Sequence, residues 1–508
     1  MSTANRVFKN TLYLYVRMVV SIVFSFFTTR ILLQTLGASD YGLYNVVAGA
    51  LAMLGFLSSS MSSATQRFIS YAEGQGDVGK IKEIFNNAVY LHRLMALFVC
   101  IFFVLGGLIF FNGLLNIPEG RTLVAITVYG CMIFSTVFAI TIVPYDAVLN
   151  AHENMKYYSL LGIVDVIFKF IIAILVMSCS QLDRLLLYGI LIALESWLFR
   201  FITQRYCIRH YSEVREINRT KYVKKNTIRT MTSFAGWNML NISTGMISLY
   251  GMNIAINHFF GTVLNAAMGI ANQLAGILMG VSSNMTKAMT PVLVKSEGGQ
   301  NREKMIEISM IGCKYSYLLF SFFCIPVIFC LRPLLAFWLK DVPEWTELFC
   351  LLMLVSTLIE QMFVFLYQSI NAQGNVRNFN IVRSILNILP IVVMTVEFSF
   401  GMPPYHALLD WIVFKVVGGG LTNLYYAHKN FDFPIKKFLK TSIIHCILSS
   451  LIIASVCYLL RTQPTDNIAI VFGRLIGMLV ISIPIYWFVA VNQSEKQMFL
   501  SLLNKFKH

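Results

Sequence analysis

About fourteen stretches of this 508-residue chain stay apolar for some 20 residues or more, and they leave it few ways to fold. A helix of about 20 residues crosses the hydrocarbon core of a bilayer, where every backbone N–H and C=O must be satisfied within the segment, so runs of this length are helices. Bounded by Gly, Pro, Asn and charge, they lie near 10–34, 42–68, 86–111, 121–147, 156–179, 184–206, 230–257, 263–290, 306–332, 345–370, 379–400, 405–428, 438–460 and 467–491. The chain is 57% hydrophobic and only 13% charged, about half the charge of a soluble domain. The expected fold is therefore all-α: a polytopic membrane protein of about 14 transmembrane helices.

A net charge of +16 raises nucleic acid as a partner, but the basic residues sit in short loops between apolar runs, where they orient helices instead. The loop after the sixth run carries Arg205, Arg209, Arg215, Arg219, Lys221, Lys224, Lys225 and Arg229 against Glu213 and Glu216. The loops on the opposite side hold few Lys or Arg, which places both termini in the cytoplasm. Met1 to Asn10 is polar and leads directly into a full-length run, so the first helix is expected to be its own insertion signal. The ten cysteines are scattered, without a Cys-x-x-Cys pair or a His at ligand spacing, and read as small core residues. No metal or cofactor is expected.

The stretch from Gly37 to Lys80 recurs without a gap at an offset of 224 residues: Gly37 meets Gly261, Ser58, Ser59 and Met61 meet Ser282, Ser283 and Met285, and Glu73-Gly74 meets Glu297-Gly298. A second echo, Asn150–Lys156 against Asn371–Arg377, follows at 221. The expected organisation is a six-helix half over 1–215, a second over 216–437, and two extra helices with a tail over 438–508. Halves with an even number of spans share a topology, which predicts two bundles facing a central cavity and alternating access by rocking.

The run Arg30 to Tyr44, with Gly37, Asp40, Tyr41 and Gly42, and the stretch Pro144-Tyr145-Asp146-Ala147 through Ala151-His152-Glu153-Asn154-Met155 resemble the recurrent motifs of the bacterial polysaccharide and O-antigen flippases of the multidrug/oligosaccharidyl-lipid/polysaccharide exporter (MATE/MOP-like) superfamily. The resemblance extends over nearly the whole chain. It implies a protein of the bacterial inner membrane that moves undecaprenyl-pyrophosphate-linked oligosaccharide to the outer leaflet for O-antigen, capsule or exopolysaccharide assembly. It also implies company with a polysaccharide polymerase and a chain-length regulator. Fourteen helices with their own cavity need no partner subunit, so a monomer is expected. A cation-coupled multidrug exporter of the same superfamily is the nearest alternative. A membrane-embedded polymerase or lipid-linked sugar transferase is a more distant one, since no outside loop is large enough to carry a catalytic constellation.

Ionisable groups within a span cost at least a few kcal/mol and normally face a cavity or a partner. Arg17 shares a helix face with Asn10, Ser21 and Thr28, and reads either as a cation snorkelling to the inner interface or as a guanidinium that holds two diphosphate oxygens at once. Lys169 follows Asp165 at i,i+4, Lys415 follows Asp410 at i,i+5, and Lys314 and Arg474 have no acidic neighbour in sequence. Lys169 and Lys415 read either as structural ion pairs or as substrate contacts, and Lys314 and Arg474 either line the cavity, adding positive potential, or snorkel. Asn238 and Asn241 on the seventh run and Asn272 on the eighth read either as helix-packing amides or as a hydrogen-bonding wall for sugar hydroxyls. Glu195 and Glu360 are the deepest acids; a buried carboxyl can exchange a proton and so couple transport to a proton or sodium gradient, or it can pair with a cavity cation.

Overall fold

The structure, a computed structural model, describes residues 3–52, 55–109, 111, 120–179, 181–339, 341–460, 467–493 and 495–497. Helices follow one another as α1 (Thr3–Ala52), α2 (Gly55–Gln75), α3 (Val78–Ile109), α4 (Thr122–Ala151), α5 (Met155–Ser178), α6 (Arg184–His210), the short α7 (Arg219–Tyr222), α8 (Lys225–Phe260), α9 (Thr262–Gly298) and α10 (Arg302–Phe329). Then come α11 (Leu331–Leu339), α12 (Thr346–Gln361), α13 (Val364–Gln373) and α14 (Arg377–Ser399). The span His406–Phe431 is α15 (His406–Asp410), a π-helical stretch Trp411–Gly418 and α16 (Gly419–Phe431). Two last spans are α17 (Ile435–Phe438) running through a π turn into α18 (Ile444–Leu460), and α19 (Ile468–Ile485) with its π-helical end. Among the described residues there is no strand, and twelve helices are long and apolar enough to cross a membrane. The α12–α13 pair, bent by 44°, makes a thirteenth. The expected second span, 42–68, is shared between the end of α1 and α2, and residues 53–54 within it lie outside the described residues.

The chain divides into two compact units, one of residues 6–239 with 298–300, the other of 240–297 and 301–508 with the first five residues. In the first unit α4 packs against α2, α3 and α6, around Phe85, Tyr145, Val148, Leu149 and Cys207. In the second, Met268, Phe320, Phe349, Leu354, Met394 and Leu408 form the main core, and α18 and α19 pack on α10 through Tyr317, Ile325, Ile453, Val471 and Met478. Helices in lipid gain little from apolar burial and depend on close backbone approach. Gly312 of α10 shows this: a Cβ there would stand 2.5 Å from the Phe365 ring of α13.

The sequence echo is an echo of turns. Gly37, where α1 bends, and Gly261, between α8 and α9, have φ of 75° and 86°. Gly76 and Gln300, also 224 apart, have φ of 72° and 58°. In each case the next residue caps the following helix: Asp77 accepts from the Lys80 N–H at 2.9 Å and Asn301 from the Lys304 N–H at 3.1 Å. Glu153 and Gly374, 221 apart, have φ of 55° and 94°. A left-handed glutamate costs roughly 1 kcal/mol. Here Arg6 binds the Glu153 carboxylate at 2.6 Å and Asn10 donates to its carbonyl at 3.0 Å.

Candidate functional site

In the second unit the break between α12 and α13 opens a cavity. Breaking a helix inside a membrane frees backbone carbonyls that need donors. Asn423 of α16 supplies one, donating to the Phe363 carbonyl at 3.3 Å, while the Gln361 side chain is held by Ser316 of α10 at 2.9 Å. Gly420 leaves room for the Phe363 ring, 2.6 Å from where a Cβ would stand, and Gly419 leaves room for the Arg383 guanidinium. The cavity, of about 180 Å³, is walled by Glu360 from the end of α12, Tyr367, Arg383 of α14, Lys415, Asn241 and Asn423. Lys415 lies on the π-helical stretch with its ammonium 3.4 Å from the centroid of the Trp411 ring. The Arg383 Nε is buried without a hydrogen-bond partner.

Of the residues expected to bind substrate or couple transport, this cavity gathers Lys415, Glu360 and Asn241. The sequence spacing of Lys415 and Asp410 does not produce an ion pair: Lys415 turns to the Trp411 ring, and Asp410 is buried apart from it. Asn241 spends its amide on packing, accepting from Asn387 of α14 at 3.1 Å and donating to the Tyr367 hydroxyl at 3.4 Å. Arg383 was not anticipated; it sits near the start of an apolar run, where a basic residue reads as an interface anchor. The pair Gly419-Gly420, whose missing side chains admit the Arg383 guanidinium and the Phe363 ring, is the sequence signal that could have drawn attention to it.

Lys314, which has no acidic neighbour in sequence, is buried and paired with Glu495 at 2.6 Å, 181 residues away. Arg474 of α19 and Asn272 of α9 are half-buried and do not line the cavity, and Asn238 is buried in α8.

In the first unit Lys169 binds Asp165 at 2.8 Å, the pair that its i,i+4 spacing predicts, and stands 4.0 Å from buried Glu195 of α6. Arg17 of α1 lies over the Tyr158 ring of α5, 4.6 Å from its centroid. It occupies the space that a side chain at Gly162, one turn on, would fill. Among the described residues no carboxylate pairs with it. The face expected to include Asn10 and Thr28 is the one that packs inward, with both residues buried.

The two motif stretches are structural ties. Arg121, at the start of α4, forks to Asp40 and Asp183. Burial of Asp183 opposes its charge, but the Leu186 N–H and Arg121 outweigh that and hold its carboxyl below the usual range. Beside the second motif, His152 lies between Glu73, at 3.2 Å, and Glu213, stacked on Tyr211 with centroids 4.4 Å apart. Burial disfavours its charge, yet the two carboxylates prevail and raise its pKa to about 9. Asn154 caps α5 and donates to the hydroxyls of Tyr206 and Tyr211, both at 3.0 Å. The basic loop is clamped from α3: Asn86 and Asn87 bond the backbone of Glu216, Asn218, Tyr222 and Lys224, and Glu83 binds Lys224 at 2.7 Å.

No family model and no curated protein sequence matches the chain. Solved structures do. A MATE in complex with MaD3S superposes with a TM-score of 0.69 at 14% identity, covering 86% of this chain and 97% of that one. An outward-facing multidrug resistance MATE family transporter of the MOP superfamily gives 0.67 at 12%, with 86% and 97% covered. A MOP superfamily transporter from Pyrococcus furiosus, whose reversed binding-pocket polarity suggested a different function for it, gives 0.66 at 13%, with 85% and 96% covered. The chain has the fold of MATE and MOP superfamily transporters.

Proposed function

We propose that the protein is a flippase for a polyprenyl-diphosphate-linked oligosaccharide, moving it from the cytoplasmic to the outer leaflet of a bacterial inner membrane. The observation that carries this reading is the cavity charge: two cations, Arg383 and Lys415, face one carboxylate, Glu360, and none of the three is consumed in a salt bridge among the described residues. Arg17, seated on Tyr158 and Gly162 without an acidic partner, offers a second cationic group, in the first unit. A guanidinium binds a diphosphate through two parallel hydrogen bonds, and in low dielectric an unpaired buried cation favours an anionic ligand strongly. An exporter of cationic drugs needs the opposite balance. The Pyrococcus furiosus transporter supports the idea that pocket polarity varies within this fold. Asp165, Lys169 and Glu195 are two acids on one ammonium, and Glu195 is the carboxyl proposed to exchange a proton or hold a sodium ion; transport with and without an imposed gradient of either ion tests that coupling.

Depleting the protein in its own cell tests the reading. Accumulation of diphosphate-linked oligosaccharide on the cytoplasmic side, with unchanged susceptibility to cationic dyes, is expected. Dye sensitivity without that intermediate would replace the flippase with a drug exporter.

A further inference from the structure

A second cavity, of about 490 Å³, lies in the first unit between the start of α5 and the end of α6; it shares no residue with the cavity of the second unit and only Tyr206 with the motif ties. Its wall is ordered along α6. Phe201 and Ile202 come first, then Arg205, and one turn later Arg209 and His210 at the helix end. At 1.5 Å per residue, Phe201 lies roughly 13 Å and Arg205 roughly 7 Å short of that end. The cavity is therefore apolar toward the middle of α6 and cationic toward its C-terminal end. Its back wall is rigid: Tyr157, Tyr206 and His210 stack in series, with centroids 3.4 and 4.0 Å apart. Asn154 fixes the Tyr206 hydroxyl at 3.0 Å, and the His210 Nδ1 bonds the Tyr206 carbonyl at 2.9 Å. Arg205 has only the Phe201 ring, 4.9 Å from the centroid, and both Arg205 and Arg209 are exposed with guanidinium groups that no protein carboxylate takes among the described residues. Among the described residues no acid lines the cavity. Arg215 bonds the carbonyls of Ile208 and Arg209, so the negative end of α6 is already covered and does not repel an anion.

We propose that this cavity holds an anionic phospholipid of the surrounding leaflet, its phosphate between Arg205 and Arg209 and its acyl chains along Phe201 and Ile202. The charge complementarity is that of basic pockets between membrane helices which take acidic lipid headgroups. The site is independent of the transported substrate, so its failure would leave the flippase reading intact.

Native mass spectrometry of the full-length protein, extracted from nanodiscs of phosphatidylglycerol and phosphatidylcholine, tests it. The wild type is expected to retain phosphatidylglycerol in preference to phosphatidylcholine, and Arg205→Ala with Arg209→Ala to lose that preference about tenfold. Lys221→Ala with Lys225→Ala removes the same charge from the same loop away from the cavity, and should change retention less than twofold. Equal loss from both pairs would reduce the effect to general surface charge and overturn the site, as would no loss from the arginine pair. Displacement of the lipid by millimolar inorganic phosphate would make it a phosphate site instead, and displacement by micromolar farnesyl diphosphate would give it to the transported lipid class.

Discussion

Arg17 and His152 show how differently two charged residues of one unit are used. Arg17 is supported by an aromatic face and a glycine, neither of which neutralises it. Its alanine variant is expected to lose transport by tenfold or more at normal expression, while Arg17→Lys, which keeps a point charge but not the fork, retains part of it. Full activity of Arg17→Ala would remove it from the site. His152 is paired on both sides, and its folded-state pKa is raised from 6.5 to about 9. Its contribution to stability, on the order of 2 kcal/mol after allowing for partial exposure, is therefore complete below pH 6.5 and lost as pH rises through about 9. Glu213, whose carboxyl is held below its usual range, sets the acid limit: its share is present above about 4.5 and lost as pH falls through the depressed value. Thermal unfolding followed from pH 6 to 10 should show the alkaline loss in the wild type and a flatter profile in His152→Ala. A sequence shows Arg17 and His152 as residues but not their partners. Arg17 was legible because a lone charge in an apolar run is conspicuous, whereas Glu73 and Glu213 approach His152 only through the fold.

The elements were legible where periodicity and length decide, and less so where chemistry interrupts them. Apolar runs locate nearly every span, and the repeated Gly37 and Gly261 mark turns that need a left-handed φ. The break of α12 into α13 lies inside one continuous apolar run, because its cause is remote: Asn423 satisfies the freed carbonyl from another helix. The π-helical stretch Trp411–Gly418 was equally silent, and along it Lys415, whose five-residue spacing from Asp410 fits one helix face poorly, lies over the Trp411 ring instead. Close approach of elements is testable through Gly312. Gly312→Ala drives a Cβ into the Phe365 ring and is expected to cost about 1–3 kcal/mol. Gly269→Ala, on α9 where nothing lies within 4 Å, should be neutral or stabilising. Equal melting temperatures for the two in the same detergent would contradict the packing of α10 on α13.

For the whole molecule, the proposed function rests on the charge of the cavity, two cations against one carboxylate. Composition identified a polytopic membrane protein and the basic bias of its intramembrane charges, but it could not show which of these meet. Lys314, which has no acidic neighbour in sequence, is neutralised by Glu495, while Lys415, which follows Asp410, shares its cavity with Arg383, a residue the sequence left unremarked. The amides expected to meet sugar hydroxyls include Asn241, which lines the cavity yet is committed to Asn387 and Tyr367. On the proposed function, cargo would therefore be selected first by charge. The central claim is tested most directly with purified protein in proteoliposomes, measuring movement of a polyprenyl-diphosphate-linked oligosaccharide between leaflets beside uptake of a cationic dye. Protein-dependent movement of the lipid is expected, at least tenfold slower in Arg383→Ala with Lys415→Ala, with no dye transport; dye uptake by the wild type with no movement of the lipid would contradict the flippase.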